Sequence, residues 1–282
     1  MMHTGSISYQ GHSIHYDHIN TGDSSASPIL LLGGVLQNRR SWERYVQDIG
    51  PVSPLLNVDL PGIGDGGILD ASFGFDFLAD CIYRLLLQLN IPKINIFATS
   101  YSSIIAYELS TRYTRCVDQL VISSSMASLP DKQKAVMQSC ILALENKDHD
   151  LFFKTFVQGI CYPGETIHNH ALSRKIMQRL ATALTARETA QFIENTKRVL
   201  CYQPPEIGVS KIKLVPLLFT GAYDVFTPPE LCRDIGRHYV KSHFGTIDHY
   251  DHLFHIGNRK AIISYILPFF QEGRLPSFIE HL

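Results

Sequence analysis

Ser100 stands where a buried-strand pattern, residues 94–97, breaks into the turn Ala98-Thr99-Ser100-Tyr101-Ser102 and then into a helical run, residues 103–111. A serine on so sharp a strand-to-helix turn takes a strained conformation and exposes its hydroxyl, and the residues two before and two after it must be small to avoid collision. Ala98 and Ser102 are both small, although the usual string, Gly-x-Ser-x-Gly, has glycine at both places. A serine hydroxyl is a poor nucleophile near neutral pH, so Ser100 needs a general base within hydrogen-bonding distance and a third group to orient that base. Candidates for both follow in the chain. The strand-like residues 214–219 end in Thr220-Gly221-Ala222-Tyr223-Asp224, and the strand-like residues 242–247 run into Asp248-His249-Tyr250-Asp251-His252. Both lie just past the carboxyl ends of strands, where open α/β sheets place their ligands.

With Ser100, Asp224 and His252 in the order nucleophile, acid, histidine, the chain resembles the α/β-hydrolase superfamily over roughly residues 29–270. Residues 28–32 read as a buried strand, and Gly33-Gly34-Val35 follows it where that family usually has His-Gly-x and its first oxyanion donor. Trp42, the only tryptophan, matches the aromatic residue that commonly follows this loop. A strand at residues 55–58 ends in Asp59-Leu60-Pro61-Gly62-Ile63-Gly64, similar to the family's Asp-x-Pro-Gly-x-Gly turn. Gly33 departs from the usual His and Asp65 from the usual Ser, at positions that perform no chemistry in the family.

The resemblance implies an α/β fold with a mostly parallel, doubly wound sheet and a helical cap inserted after strand six. It implies Ser100 as nucleophile, His252 as base and Asp224 as orienting acid, with the backbone N–H groups of Val35 and Tyr101 as the oxyanion hole. His249 and His255 compete with His252, the first lying too near the strand end and the second where relatives carry a non-catalytic histidine or another polar residue. Asp224 has no such rival, because the alternative acid position after the sixth strand reads Ser123-Ser124-Ser125-Met126-Ala127-Ser128. A serine at the elbow excludes the dehalogenases and epoxide hydrolases of this fold, which use an aspartate there.

The elements that must position these residues are legible by periodicity. Residues 6–19 suggest an edge hairpin around Gly11, and Leu78, Cys81, Ile82, Leu85, Leu86 and Leu89 follow the three-and-four spacing of an amphipathic helix that ends at Asn90, before Pro92. The strand of the elbow follows at once, which gives a right-handed parallel crossover, and residues 119–122 form another short apolar strand. Residues 128–207 contain no convincing buried strand. They carry helical patterns at residues 132–145, 151–158, 173–185 and 188–200, and Pro204-Pro205 closes the segment. The division expected is a core of residues 1–127 and 208–282 and a cap of residues 128–207, against the plainer reading of ordinary packing helices. Phe152, Phe153, Phe156, Ile160 and Phe192 either line an apolar pocket beneath the cap or form plain helix core.

At 282 residues the chain can be one large α/β domain, burying roughly three quarters of its unfolded surface. A formal net charge of −1 suggests neither nucleic acid nor an anionic membrane as partner. The six cysteines form no Cys-x-x-Cys pair, so no metal or redox motif is indicated and no cofactor is expected. The beginning Met-Met-His-Thr-Gly-Ser has no charged and then apolar run, and no apolar run approaches the ~20 residues of a membrane helix. A cytoplasmic protein is expected.

A narrower resemblance concerns the substrate. The aromatic Tyr101 beside the elbow serine, the acid loop Gly221-Ala222-Tyr223-Asp224-Val225-Phe226-Thr227 and the segment Gln191-Phe192-Ile193-Glu194-Asn195 are similar to those of bacterial hydroxyacyl transferases. Those enzymes have glycines where this chain has Ser102 and Ser103. This implies a small-molecule acyl substrate carried as a thioester on acyl carrier protein or coenzyme A, transferred to water or to another acceptor. A carboxylesterase, a carbon–carbon bond hydrolase and a non-catalytic ligand-binding member of the fold stay open.

Overall fold

The computed structural model of the chain describes residues 2–20, 26–164, 166–168, 170–203 and 212–280. Nine strands, β1 (Met2–Tyr9), β2 (His12–Ile19), β3 (Ile29–Leu32), β4 (Leu55–Asp59), β5 (Ile94–Thr99), β6 (Val117–Ser123), β7 (Leu217–Gly221), β8 (His243–Ile247) and β9 (Ile279–Glu280), form one sheet in the order β1-β2-β4-β3-β5-β6-β7-β8-β9. The six strands from β4 to β8 in that order are mutually parallel. The hairpin of β1 and β2 joins antiparallel at one edge and β9 at the other.

Among the described residues ten α-helices accompany the sheet: α1 (Glu43–Ile49), α2 (Phe75–Gln88), α3 (Tyr101–Arg112), α4 (Asp131–Glu145), α5 (His149–Ile160), α6 (His170–Thr182), α7 (Ala186–Cys201), α8 (Pro229–Asp234), α9 (Phe254–Gly257) and α10 (Arg259–Glu272). Parallel strands covered on both faces read as continuous apolar runs, and every residue of β3, β4, β5 and β7 is buried. Alternate residues serve opposite layers. Leu30, Leu32, Ile96 and Ala98 pack with α2 and α3, while Ile29, Leu31 and Phe97 pack with α1 and α10. This is the doubly wound α/β arrangement expected from the sequence.

The hairpin turn falls at Gln10-Gly11, both at positive φ (48° and 81°), which suits a two-residue connection between right-twisted strands. Helix α2 ends at Gln88, two residues before the expected Asn90, which instead takes φ 54° in the turn.

Four helices, α4 to α7, are inserted between β6 and β7. Helix α4 packs on α5 and α7, and α5 packs on α6. The helical pattern expected to run to residue 185 stops at Thr182, and Thr185 caps the next helix. Its hydroxyl accepts the Glu188 N–H while the Glu188 carboxylate accepts the Thr185 N–H, so the Thr-x-x-Glu spacing favours a new start over continuation. Pro204-Pro205 and the boundary at residues 207/208 lie outside the described residues. Among the described residues no helix is long and apolar enough to cross a membrane.

Candidate active site

Strand β5 ends at Thr99 and α3 begins at Tyr101, so the whole change of direction falls on Ser100, which takes φ 53° and ψ −121°. A side chain at that φ is strained, and such strain persists only where the surroundings enforce it. Here the Ser100 N–H donates to the Ser123 carbonyl of β6 at 3.0 Å, and the Ser103 hydroxyl donates to the Ser100 carbonyl. Gly34 faces the elbow, and a Cβ added to it would lie 3.7 Å from Ser100 Cβ and 3.3 Å from Gln37 Oε1. Relief of the strain gives a stability prediction. Ser100→Gly should unfold at higher urea concentration than Ser100→Ala, by about 1 kcal/mol, since glycine adopts this conformation without a Cβ penalty. Equal midpoints would show that the turn is unstrained.

The loops after β7 and β8 bring the other two expected residues to the elbow. His252 Nε2 lies 3.0 Å from Ser100 Oγ, and His252 Nδ1 lies 2.9 Å from Asp224 Oδ2 and 3.2 Å from Oδ1. Asp224 is buried and held by the Phe226 and Thr227 N–H groups at 3.0 and 2.7 Å and by the Thr220 hydroxyl at 2.8 Å. With a carboxylate on its Nδ1 side, the imidazole carries its proton there, and the Nε2 lone pair accepts from Ser100. Burial pushes Asp224 towards neutrality, but the His252 charge and the hydrogen bonds outweigh it and hold the carboxyl below its ordinary range. Burial likewise disfavours the charged imidazole, and the charge and hydrogen bond of Asp224, with a smaller contribution from Asp251, reverse this and raise His252 above its ordinary value.

The neighbouring histidines point elsewhere. His249 is exposed at φ 60°, with Nδ1 3.2 Å from the Thr166 carbonyl. His255 is buried against the loop after β3, its Nε2 3.2 Å from Gln37 Oε1, which also accepts the Gly34 N–H at 2.7 Å. Burial, with the His252 charge adding, pushes His255 down to about 3, so it is neutral at ordinary pH. Asp251, standing where the family has glycine, accepts the Leu253 N–H at 3.0 Å and the Tyr162 N–H at 3.1 Å, which ties the histidine loop to the segment after α5. Its burial raises its pKa. The role of Asp251 and the presence of Gln37 at the site were not legible in the sequence, because their partners include backbone N–H groups that no motif records.

Ser100 and His252 open into a cavity of about 130 Å³ between the inserted helices and the carboxyl ends of the strands. Its wall is mainly apolar, with Val35, Met126, Val136, Phe156, Ile160 and Phe192 prominent, and no Lys, Arg, Asp or Glu among the described residues lines it. Of the residues considered for the wall, Phe156, Ile160 and Phe192 face the cavity, whereas Phe152 is fully buried behind them and Phe153 packs between the clusters. Val35 and Tyr101 border the same space as Ser100. Tyr101 opens α3, so its N–H belongs to the first turn, which has no acceptor within the helix.

A family model of the alpha/beta hydrolase fold matches residues 27–160. The poly(3-hydroxyalkanoate) depolymerase of Ectopseudomonas oleovorans is 22% identical over 121 residues, covering 42% of this chain and 43% of that protein. The chain spans about half the length of the curated relatives it matches. Among solved structures, the alpha/beta hydrolase MGS-M2 from a Medee basin deep-sea metagenome library superposes with a TM-score of 0.84 at 20% identity, over 96% of this chain and 99% of that one. The enol-lactonase of Burkholderia xenovorans LB400 superposes with a TM-score of 0.80 at 14% identity, over 95% and 100%. These relatives are of hydrolase type, and with the parallel sheet and the strand-turn-helix at Ser100 they show that the chain has the alpha/beta hydrolase fold.

Proposed function

We propose that the protein is a serine-nucleophile acyl hydrolase or acyltransferase that cleaves an ester or thioester through an acyl-enzyme. The observation that carries this reading is the hydrogen-bonded series from Ser100 through His252 to Asp224, opening into an apolar cavity. Ser100 Oγ attacks the carbonyl carbon while His252 Nε2 takes its proton, and Asp224 stabilises the imidazolium that forms. The oxygen becomes negative and is received by the N–H groups of Val35 and Tyr101. Collapse expels the alcohol or thiol, protonated by His252, and water or another acceptor attacks the acyl-enzyme by the same proton path in reverse. The inserted helices serve as a cap that keeps this space dry, which strengthens the donors. A fluorophosphonate probe tests the reading: labelling at Ser100 is expected, and an intact protein that is never labelled there would be a binding member of the fold.

The cavity wall also sets an expectation for the substrate. An uncharged, apolar wall fits a neutral acyl chain, and burying each methylene is worth roughly 0.8 kcal/mol, about fourfold in kcat/KM. A water-sized group needs ~10–15 Å³ on the same scale, so a cavity of about 130 Å³ accepts on the order of ten such groups. Efficiency should therefore climb with acyl length and level off by roughly ten carbons. A flat profile from acetyl to decanoyl would mean that no acyl chain lies there. The acid-loop and elbow resemblance favours thioesters, and matched thioester and oxygen-ester pairs decide this finer point: an oxygen-ester preference places the protein with the carboxylesterases.

A further inference from the structure

Arg198, on α7, is only 1% exposed, yet none of its hydrogen-bond acceptors is a carboxylate. A guanidinium has five N–H donors, and all five meet neutral oxygens. Nε donates to the Phe73 carbonyl, Nη1 to the Tyr101 hydroxyl at 2.9 Å and to the Asn195 side-chain carbonyl, and Nη2 to the Leu69 and Asp70 carbonyls at 2.9 and 3.0 Å. The exposed Asp70 carboxylate feels its charge, but among the described residues no carboxylate bonds to it, and burying a cation in that way is costly. A residue kept at that cost calls for a reason beyond packing, and the partner that supplies one is Tyr101.

Tyr101 follows the nucleophile in the chain and opens α3 at the cavity edge. Its hydroxyl accepts from Arg198 and donates to Asn195 Oδ1 at 3.0 Å, while Phe75 packs against its ring at 5.2 Å between centroids. Asn195 in turn donates to the Gly62 carbonyl at 2.8 Å, and Gln191 donates to the Gly64 and Gly67 carbonyls at 3.0 and 2.6 Å. Gln191, Asn195 and Arg198 are spaced four and three apart, and so share one face of α7. The adjacent face, Phe192, Thr196 and Val199, lines the cavity. One helix thus walls the acyl space with one stripe and with the next grips the loop after β4 together with the side chain of Tyr101.

We propose that Arg198 is a positioning residue, which holds Tyr101, and with it the N–H that receives the developing oxyanion, in register with the helix that walls the acyl cavity. This rests on the acyl-transfer reading above. Its charge has the sign that favours an anion at that N–H, and its fork fixes the tyrosine from behind. The interaction acts on the transition state more than on the bound ester, so its loss should appear in kcat.

The test compares Arg198→Met, Arg198→Lys and Tyr101→Phe with the wild type, using ester turnover and inhibition by an alkyl boronic acid, which forms a tetrahedral adduct on Ser100. Arg198→Met should lower kcat on the order of tenfold to a hundredfold, short of the ~10²–10³ for removing an oxyanion donor outright. KM should stay within about threefold of the wild type, boronic acid affinity should weaken in proportion to kcat, and the carboxylic acid product should bind as before. Arg198→Lys should recover part of the loss. A folded Arg198→Met that is less stable but keeps kcat and boronic acid affinity overturns the proposal. Should that variant not fold, Tyr101→Phe decides, since it removes one oxygen: a lower kcat at unchanged KM supports the proposal and a kcat within twofold of wild type overturns it. A wild type that neither turns over esters nor takes up the fluorophosphonate places the fault in the acyl-transfer reading, and the proposal falls with it.

Discussion

Ser100→Ala is expected to lower turnover by a factor on the order of 10⁶, the scale on which removal of a serine nucleophile abolishes acyl chemistry in a Ser-His-Asp site. The fold should survive. The hydroxyl lost faces the cavity, its side-chain partner among the described residues being His252 Nε2 at 3.0 Å, and alanine meets the turn with the same Cβ. Two neighbouring hydroxyls are otherwise engaged. Ser103 is engaged by the Ser100 carbonyl and by Ser125, and the Thr227 hydroxyl lies on the Nδ1 side of His252, against Asp224. Steady-state kinetics with a urea unfolding curve check both parts, and activity above about 1% of wild type, far over the residual expected from binding and oxyanion donors alone, would place the nucleophile elsewhere.

The histidine series should be nearly as decisive. His252→Ala is expected to cost almost as much as the serine change, because nucleophile and base act as one unit. His249→Ala should stay within a few-fold of wild type, since that side chain is exposed and turned to the Thr166 carbonyl. His255→Ala should cost stability, about 1 kcal/mol for the hydrogen bond to Gln37, more than it costs turnover. If His249→Ala were the inactive variant, the loop after β8 would be in a different register.

The pH profile carries the sign of the charges around His252. The imidazole must be neutral to accept the serine proton, and its pKa is raised, so kcat/KM should fall on the acid side with a midpoint above the ordinary ~6.5. Asp224→Asn removes the anion that raises it, leaves burial opposed only by Asp251, and should move that midpoint to lower pH while cutting kcat by about 10⁴. A midpoint unmoved in Asp224→Asn would mean that another group governs the acid limb.

Much of this site is legible without coordinates, and the reason is locality. The turn at Ser100 is written in one short window, residues 94–111, an apolar strand, small flanks and a helical run, and the inserted helices are written in their own three-and-four spacing. Strand β9 escaped because two residues carry no alternation to read. Thr185 was joined to the wrong helix because a continuous polar-apolar rhythm hides a capping box unless the Thr-x-x-Glu spacing is weighed. Arg198, in the pair Lys197-Arg198, has the look of a solvated face, and its burial depends on a loop more than a hundred residues earlier in the chain.

By itself, then, the chain determined the order nucleophile, acid, histidine, the strand ends that carry them and the helical insertion, all properties of short windows and of their sequence in time. Only the tertiary structure shows how His252, which the resemblance picks out, meets the serine while His249 and His255 turn elsewhere. That contact joins residues 152 positions apart and depends on how the chain turns after β8, where His249 is thrown outward at φ 60° and His252 inward. It also decided that Asp251 secures the histidine loop, that Phe156 rather than Phe152 faces the cavity, that Gln191 holds the loop after β4, and that Asn195 and Arg198 grip Tyr101. Each of these brings together groups far apart in the chain, and several end on a backbone N–H or carbonyl, which has no letter in the sequence.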